Sequence, residues 1–397
     1  MTGSSELHTG TQFHREATTI LDVLKASLFT NEPFVLSDWQ PLFEEMKQQT
    51  VAALPYYILP ENAKEWRTYC LRQQGQFVRV MHAQAQLISL LELNGISCVI
   101  LKGAAAARYY PYPTLRTMGD VDFLVKRCDL EKTASLLEEN DFFLEKDKDS
   151  KTHHYSYSKD NISFELHWRL PIVSEQDEKR LSFFEEGIDH REWHEIDGYK
   201  FPAFPNVLNG LVLIFHIDQH LRSGLGLRQI VDWMMYVSRL SAEEWEMLQP
   251  LLTDNGVEKL ARTVTILCQK YLGLPRIIED DASLPVDELL SYILEKGNFG
   301  RKAGVKGSMA SFSMSFTEKG GFFKRLQAGG LKRWKAAQKY SILRPFAWIY
   351  QGFRILGILV KNRQSPKNIL EQAQHGIEQA HLIEALGLRM DRTITMD

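Results

Sequence analysis

Two aspartates stand one residue apart at Asp120 and Asp122, and a glutamate, Glu165, follows in a later segment of similar pattern. At positions i and i+2 of an extended strand, two carboxylates point to the same face, about 6.5–7 Å apart along the chain. Oxygens so placed can hold Mg²⁺, a hard cation that prefers oxygen ligands and substrate phosphates. Two such ions about 3.5–4 Å apart can clamp the attacking and leaving oxygens of an in-line displacement. Upstream, the apolar run 96–101 leads into Lys102-Gly103, which offers a phosphate a point charge and an unobstructed backbone.

Several elements must bring these groups together. In residues 120–125, Val121, Phe123 and Val125 alternate with Asp120, Asp122 and Leu124. In residues 162–168, Ile162, Phe164, Leu166 and Trp168 alternate with Ser163, Glu165 and His167. Such alternation predicts half-buried strands, and it sets Glu165 and His167 on one polar surface that can face the aspartate pair. Residues 153–158 and 162–168 form a predicted hairpin around Lys159-Asp160-Asn161, after a charged turn over 145–151. Asp129 offers a cap to a helix with the stripe Leu130, Ala134 and Leu137, stopping near Asn140. Helices are expected over 14–29, 39–53 (capped by Ser37 or Asp38) and 61–93, the last ending at Asn94-Gly95. Two more follow at 206–221 and 227–240, around a Gly-rich break at 223–226. The fold class is α+β: a small mixed-sheet core over 95–175, flanked by helical regions at 1–94 and 176–296. Residues 297–397 are expected to form a Gly-rich linker and a basic, aromatic helical region.

The order Lys-Gly, helix, Arg-x-x-Gly-Asp-x-Asp, helix and Glu-x-His-Trp resembles the polymerase-β-type nucleotidyltransferase superfamily. More closely, it resembles a broad bacterial nucleotidyltransferase family with a Leu-Lys-Gly turn and an Asp-x-Asp strand. The likeness is strongest over 96–170 and weaker to about residue 240. It implies transfer of a nucleoside monophosphate from ATP or another NTP to a hydroxyl or phosphate of a small-molecule, peptide or protein acceptor. It further implies Mg²⁺, or Mn²⁺ in its place, held by Asp120 and Asp122, with Glu165 as third ligand or general base. Lys102, Gly103, Arg116, Gly119 and Arg228 would form the nucleotide-binding set, with Asp232 orienting Arg228 on a phosphate. The alternative for Arg228 and Asp232 is an i,i+4 salt bridge on one helix. Two departures stand out: Gly103-Ala104 replaces the usual Gly-Ser, and a Tyr-Pro-Tyr-Pro segment (110–113) lengthens the gap to Asp120. Lys102 and Arg116 can supply the missing phosphate contacts, one as a point charge and the other as a bidentate fork.

An Asp-x-Asp alone also occurs in Ca²⁺ loops and in nucleotide-sugar glycosyltransferases, so the surrounding order carries the reading. His167, beside Trp168, is expected to hydrogen-bond structurally more than to touch substrate. His216 and His220 have a chelating spacing, but Ile217 stands where a zinc protease needs its acid, and no zinc site is expected there. Four separated cysteines, Cys70, Cys98, Cys128 and Cys268, give neither a disulfide framework nor a zinc motif. Cytoplasm is the expected compartment, because the first residues lack a secretory pattern and no apolar run approaches membrane-spanning length.

The net charge of −3 conceals an asymmetry. Residues 319–363 hold eleven Lys and Arg and no Asp or Glu. Removing those eleven from 47 leaves 36 basic residues against 50 acidic ones elsewhere. The segment attracts anions, and its aromatics either stack on bases or pack inward beneath a basic helical face; the inward packing is preferred. No RNA-binding module is legible, so no stable nucleic-acid partner is expected. Gly300 to Gly307 could wrap a phosphate but fits no P-loop spacing. Three rival functions remain: a non-catalytic nucleotide-binding regulator; a nucleic-acid or anionic-surface binder acting through 319–363; and, last in order, a glycosyltransferase using the Asp-x-Asp for a nucleotide sugar.

Overall fold

The computed structural model describes residues 20–33, 38–145, 153–174, 176–222, 224–275, 277–298, 326–327, 329–331, 333–361 and 366–388. The expected helix start at 14–19, the Ser37 cap, most of the charged turn at 145–151 and the Gly-rich 300–307 segment lie outside them.

The fold is α+β. Strands β1 (Cys98–Leu101), β2 (Asp120–Val125), β3 (Phe143–Leu144), β4 (His154–Lys159) and β5 (Ile162–His167) form one mixed sheet in the order β1-β2-β5-β4-β3. β2 runs antiparallel to β1 and parallel to β5, while β5, β4 and β3 pair antiparallel. Parallel neighbours need a crossover, here built from helix α1 (Leu130–Glu139), β3 and β4. The expected hairpin forms as a two-residue turn: Asp160 and Asn161 have φ of 52° and 61°. Positive φ at both positions matches the twist of the flanking strands and suits Asp and Asn.

The two strand faces meet different partners. Ile100, Val121, Phe123 and Phe164 join a core with Phe77, Met81, Leu87 and Leu91 of the long helix α2 (Lys64–Leu93). Gly95, at φ 66°, stops that helix as expected. Val99, Leu101 and Leu124 join a second core with Leu213 of helix α3 (Asn206–Leu221) and Trp233 of helix α4 (Leu227–Val237). The acids share this second face, since Leu101 pairs with Asp122 and Val99 with Leu124. β2 is therefore buried on both faces from Val121 onward, where alternation predicts one wet face. The helices that follow the sheet pack against that face, so Asp122 and His167 on it are buried.

Region 176–296, expected to be helical, also contains a hairpin of β6 (Glu192–Ile196) and β7 (Tyr199–Ala203). Its turn is Asp197-Gly198, with φ of 47° and 82°. The helix expected over 39–53 is shorter, Gln40–Gln48, and Thr50 turns the chain at φ 56°. Asp129 precedes α1, but its side chain makes no capping hydrogen bond. In the basic segment, Trp334 and Tyr350 stack at 5.2 Å between centroids. Tyr340, Phe346, Trp348 and Phe353 are exposed, unlike the preferred inward packing, while Phe322 and Phe323 lie outside the described residues. Among the described residues, no helix is long and apolar enough to cross a membrane.

Candidate active site

Parallel register sets Asp122 directly beside Glu165, and Asp120 beside Ser163. His167, two residues after Glu165 and so on the same face, joins both acids: its Nε2 lies 3.0 Å from Asp122 Oδ1 and 3.2 Å from Glu165 Oε2. Lys102 Nζ donates to the same Asp122 Oδ1 at 2.9 Å. Lys102 reaches it because β1 ends in an abrupt reversal, with φ of 47° at Lys102 and 30° at Gly103, before the short helix Gly103–Ala107. Positive φ suits glycine but strains lysine by about 1–3 kcal/mol, a cost that tends to persist where function requires it. The site opens at Gly119 and Asp120, both exposed, and at Glu165, whose side chain is 25% exposed; Asp122 and His167 lie beneath.

Charges in this pocket are far from balanced. Burial alone would raise the Asp122 carboxyl, but Lys102 and His167 hold it well below the ordinary carboxylate value. Asp120 moves the other way: crowding by protein atoms, then the charge of Asp122, push it up. Burial opposes the charge on Lys102, yet Asp122, Glu165 and Asp120 outweigh it and raise its pKa. His167 is raised too, its hydrogen bonds to Asp122 and Glu165 overcoming burial. Two carboxylates repelling each other at the mouth of a buried acidic site form an arrangement that a cation relieves.

Arg116 lies elsewhere in the network. Its Nε and Nη2 each donate to Asp232 at 2.7 Å, and Tyr110 donates to Asp232 Oδ1 at 2.6 Å. Tyr110 comes from the segment that lengthens the gap before Asp120. Asp232 thus grips Arg116, and among the described residues it forms no salt bridge with Arg228. The bidentate fork needs a coplanar carboxylate, which Asp232 offers across the core. Arg228 keeps donors to spare: Nη1 reaches the Thr117 carbonyl at 3.5 Å and Nε has no hydrogen-bond partner. Burial, then the neighbouring Arg116, lower its pKa, while Asp232 and Asp120 oppose that shift.

Residues 36–273 match a protein family described as an uncharacterised nucleotidyltransferase. The chain belongs to this nucleotidyltransferase family. No curated protein matches it. Among solved structures it is similar to an antigenic nucleotidyltransferase-like protein from Paracoccidioides brasiliensis, with 16% identity and a TM-score of 0.30. That similarity covers 49% of this chain and 92% of the other.

A nucleotidyltransferase needs a divalent cation at its triphosphate, and the donor set here fits one. Asp122 and Glu165 bring oxygens within 4.8 Å of each other and of a His167 nitrogen, and Asp120 adds a carboxylate on the same face at the rim, its pKa raised by desolvation and then by the charge of Asp122. Two histidine groups around the site were not legible as site residues. His153 and His154 pack against His167; strand alternation placed them in β4 but could not show what faced them. His216 and His220 meet edge to face at 4.4 Å between ring centroids on α3, within the fields of Lys102, Arg228 and Asp122. Their i,i+4 spacing is the available signal; as a chelate it is set aside, and nothing in it points to the fields of Lys102 and Asp122.

Proposed function

We propose that the chain catalyses divalent-metal-dependent transfer of a nucleoside monophosphate from ATP or another NTP to a hydroxyl or phosphate of a small-molecule, peptide or protein acceptor. One observation carries this reading: Asp122 and Glu165 sit side by side in parallel register, with Asp120 on the same face at the rim and Lys102 on the shared carboxylate. Asp120, Asp122 and Glu165 would hold Mg²⁺, or Mn²⁺, which when bound neutralises the triphosphate and the departing pyrophosphate. Glu165 is the accessible carboxylate beside Asp122, and it takes the proton of the acceptor hydroxyl. The acceptor oxygen then bonds to the α-phosphorus as the bond to pyrophosphate breaks. Lys102 and the spare donors of Arg228 stabilise charge on the phosphates, and Gly103 and Gly119 leave the backbone open to them. Arg116 positions the strand entry by tying residues 116–119 to α4.

A second reading, binding to an anionic surface through 319–363, is favoured by Ile342 at 80% and Phe353 at 72% exposure within a stretch free of acids. The primary test follows label from α-labelled NTPs with Mg²⁺, using candidate acceptors. D120N and D122N are expected to lower transfer by at least about 100-fold while circular dichroism stays unchanged. Wild-type turnover in both folded variants overturns the proposal.

A further inference from the structure

Behind the carboxylates lies a cluster that nucleotidyl transfer does not use. His153, His154 and His167 each present one ring nitrogen within 4.8 Å of the others. Their ring centroids are 4.5 Å (His153 and His154), 5.5 Å (His153 and His167) and 5.1 Å (His154 and His167) apart. All three are buried, at 3%, 5% and 0% exposure. The ladder builds this group: His154 pairs with His167 across β4 and β5, and His153 precedes it, accepting at its carbonyl from Trp168 N at 3.4 Å. Burying three imidazoles together is costly unless their polar atoms find partners.

His167 supplies a second, independent observation. Its Nε2 faces two carboxylates and donates its hydrogen to them. Its Nδ1 is buried with no hydrogen-bond partner. A metal-bound histidine characteristically gives its other N–H to a carboxylate, which fixes the ring and strengthens the donor nitrogen. Asp122 and Glu165 stand to His167 in that relation.

We propose that His153, His154 and His167 bind a transition-metal ion of the zinc class, separate from the cation held by the carboxylates. Nitrogen donors select such ions over Mg²⁺, which prefers oxygen. Zinc–nitrogen bonds of about 2.0–2.1 Å in a tetrahedral sphere place ligand atoms about 3.4 Å apart. Ring rotations close the difference from the present span, and a fourth position is left for water or another ligand. The ion staples the start of β4 to the end of β5 and holds His167 against Asp122 and Glu165, so His153 and His154 are positioning residues. This inference does not rest on the nucleotidyl-transfer reading.

The test adds Co²⁺ to the full chain after chelator treatment and records visible absorption, with Zn²⁺ as competitor. A four-coordinate cobalt band that Zn²⁺ abolishes and excess Mg²⁺ leaves intact is expected. H153Q and H154Q each remove a ligand and should weaken Co²⁺ binding by more than about 100-fold, whereas E165Q removes only an outer partner of His167 and should keep the band, with a loss within about 10–100-fold. If the glutamine variants fail to fold, metal analysis of purified wild-type protein decides: zinc retained through dialysis supports the site, and none retained counts against it. Absence of a wild-type band overturns the proposal. So does a band that survives both glutamine variants and vanishes in E165Q, which puts the ion on the carboxylates. Transfer activity that persists without any cobalt band removes this inference alone.

Discussion

Two buried cation–carboxylate pairs lie at the candidate site, and they are built differently. Arg116 and Asp232, 3% and 1% exposed, satisfy each other: two donors from the guanidinium and one from Tyr110 fill the carboxylate. Lys102 and Asp122, 13% and 5% exposed, form a lopsided set. One oxygen of Asp122 takes both Lys102 and His167, and two further acids crowd nearby. A balanced buried pair specifies structure, because losing either member strands the other. An unbalanced one keeps charge in reserve for a ligand.

Breaking the balanced pair should have the largest effect on stability. R116M leaves Asp232 buried without its partner and is expected to cost about 3–5 kcal/mol by urea denaturation. A D232L change in that background should recover most of the loss, and Mg²⁺ should rescue neither single variant. A mild loss in R116M would show that the two pairs are alike. K102M sharpens the contrast from the other side. It should lower transfer by about 10–100-fold and reduce the melting temperature without divalent ions, with Mg²⁺ restoring much of the shift. A melting point indifferent to Mg²⁺ would count against charge held in reserve.

The smallest expected effect is a pH dependence. Burial, then the charge of His167, lower His154 from 6.5 to about 4. Between those values the unfolded chain binds a proton there that the folded chain refuses, so stability rises with pH across this window and falls on acidification. In chelator-treated protein, the melting temperature should drop as pH goes from 6.5 to 4, and H154Q should flatten that slope. An unchanged slope would show that His154 titrates freely.

The strand carrying the acids was legible because alternation survives burial: Val121, Phe123 and Val125 face one core whether or not the other face is covered. The hairpin at Asp160-Asn161 was legible from its turn chemistry. The Asp197-Gly198 hairpin carried an equally plain signal, but its strands, with Glu192, His194 and Pro202, lack the apolar alternation that draws attention. The pairing of Asp232 was not legible, because i,i+4 geometry on a helix favours Arg228 while the fold delivers Arg116 from a distant segment. His153 and His154 escaped for a related reason. Sequence gives the face of a strand residue but not the neighbour across the ladder until register is known.

Register also gives the Asp160-Asn161 turn a reach beyond its own surface. It lies about 13 Å along β5 from Glu165, yet it fixes the β4–β5 register that sets His154 opposite His167 and Ser156 opposite Glu165. A one-residue slip there would set His153 or Tyr155 opposite His167 in place of His154. Sequence changes at this outlying bend can therefore disorder the site while every group in it keeps its chemical identity, and a natural variant altered there should not be judged competent from its intact acids alone.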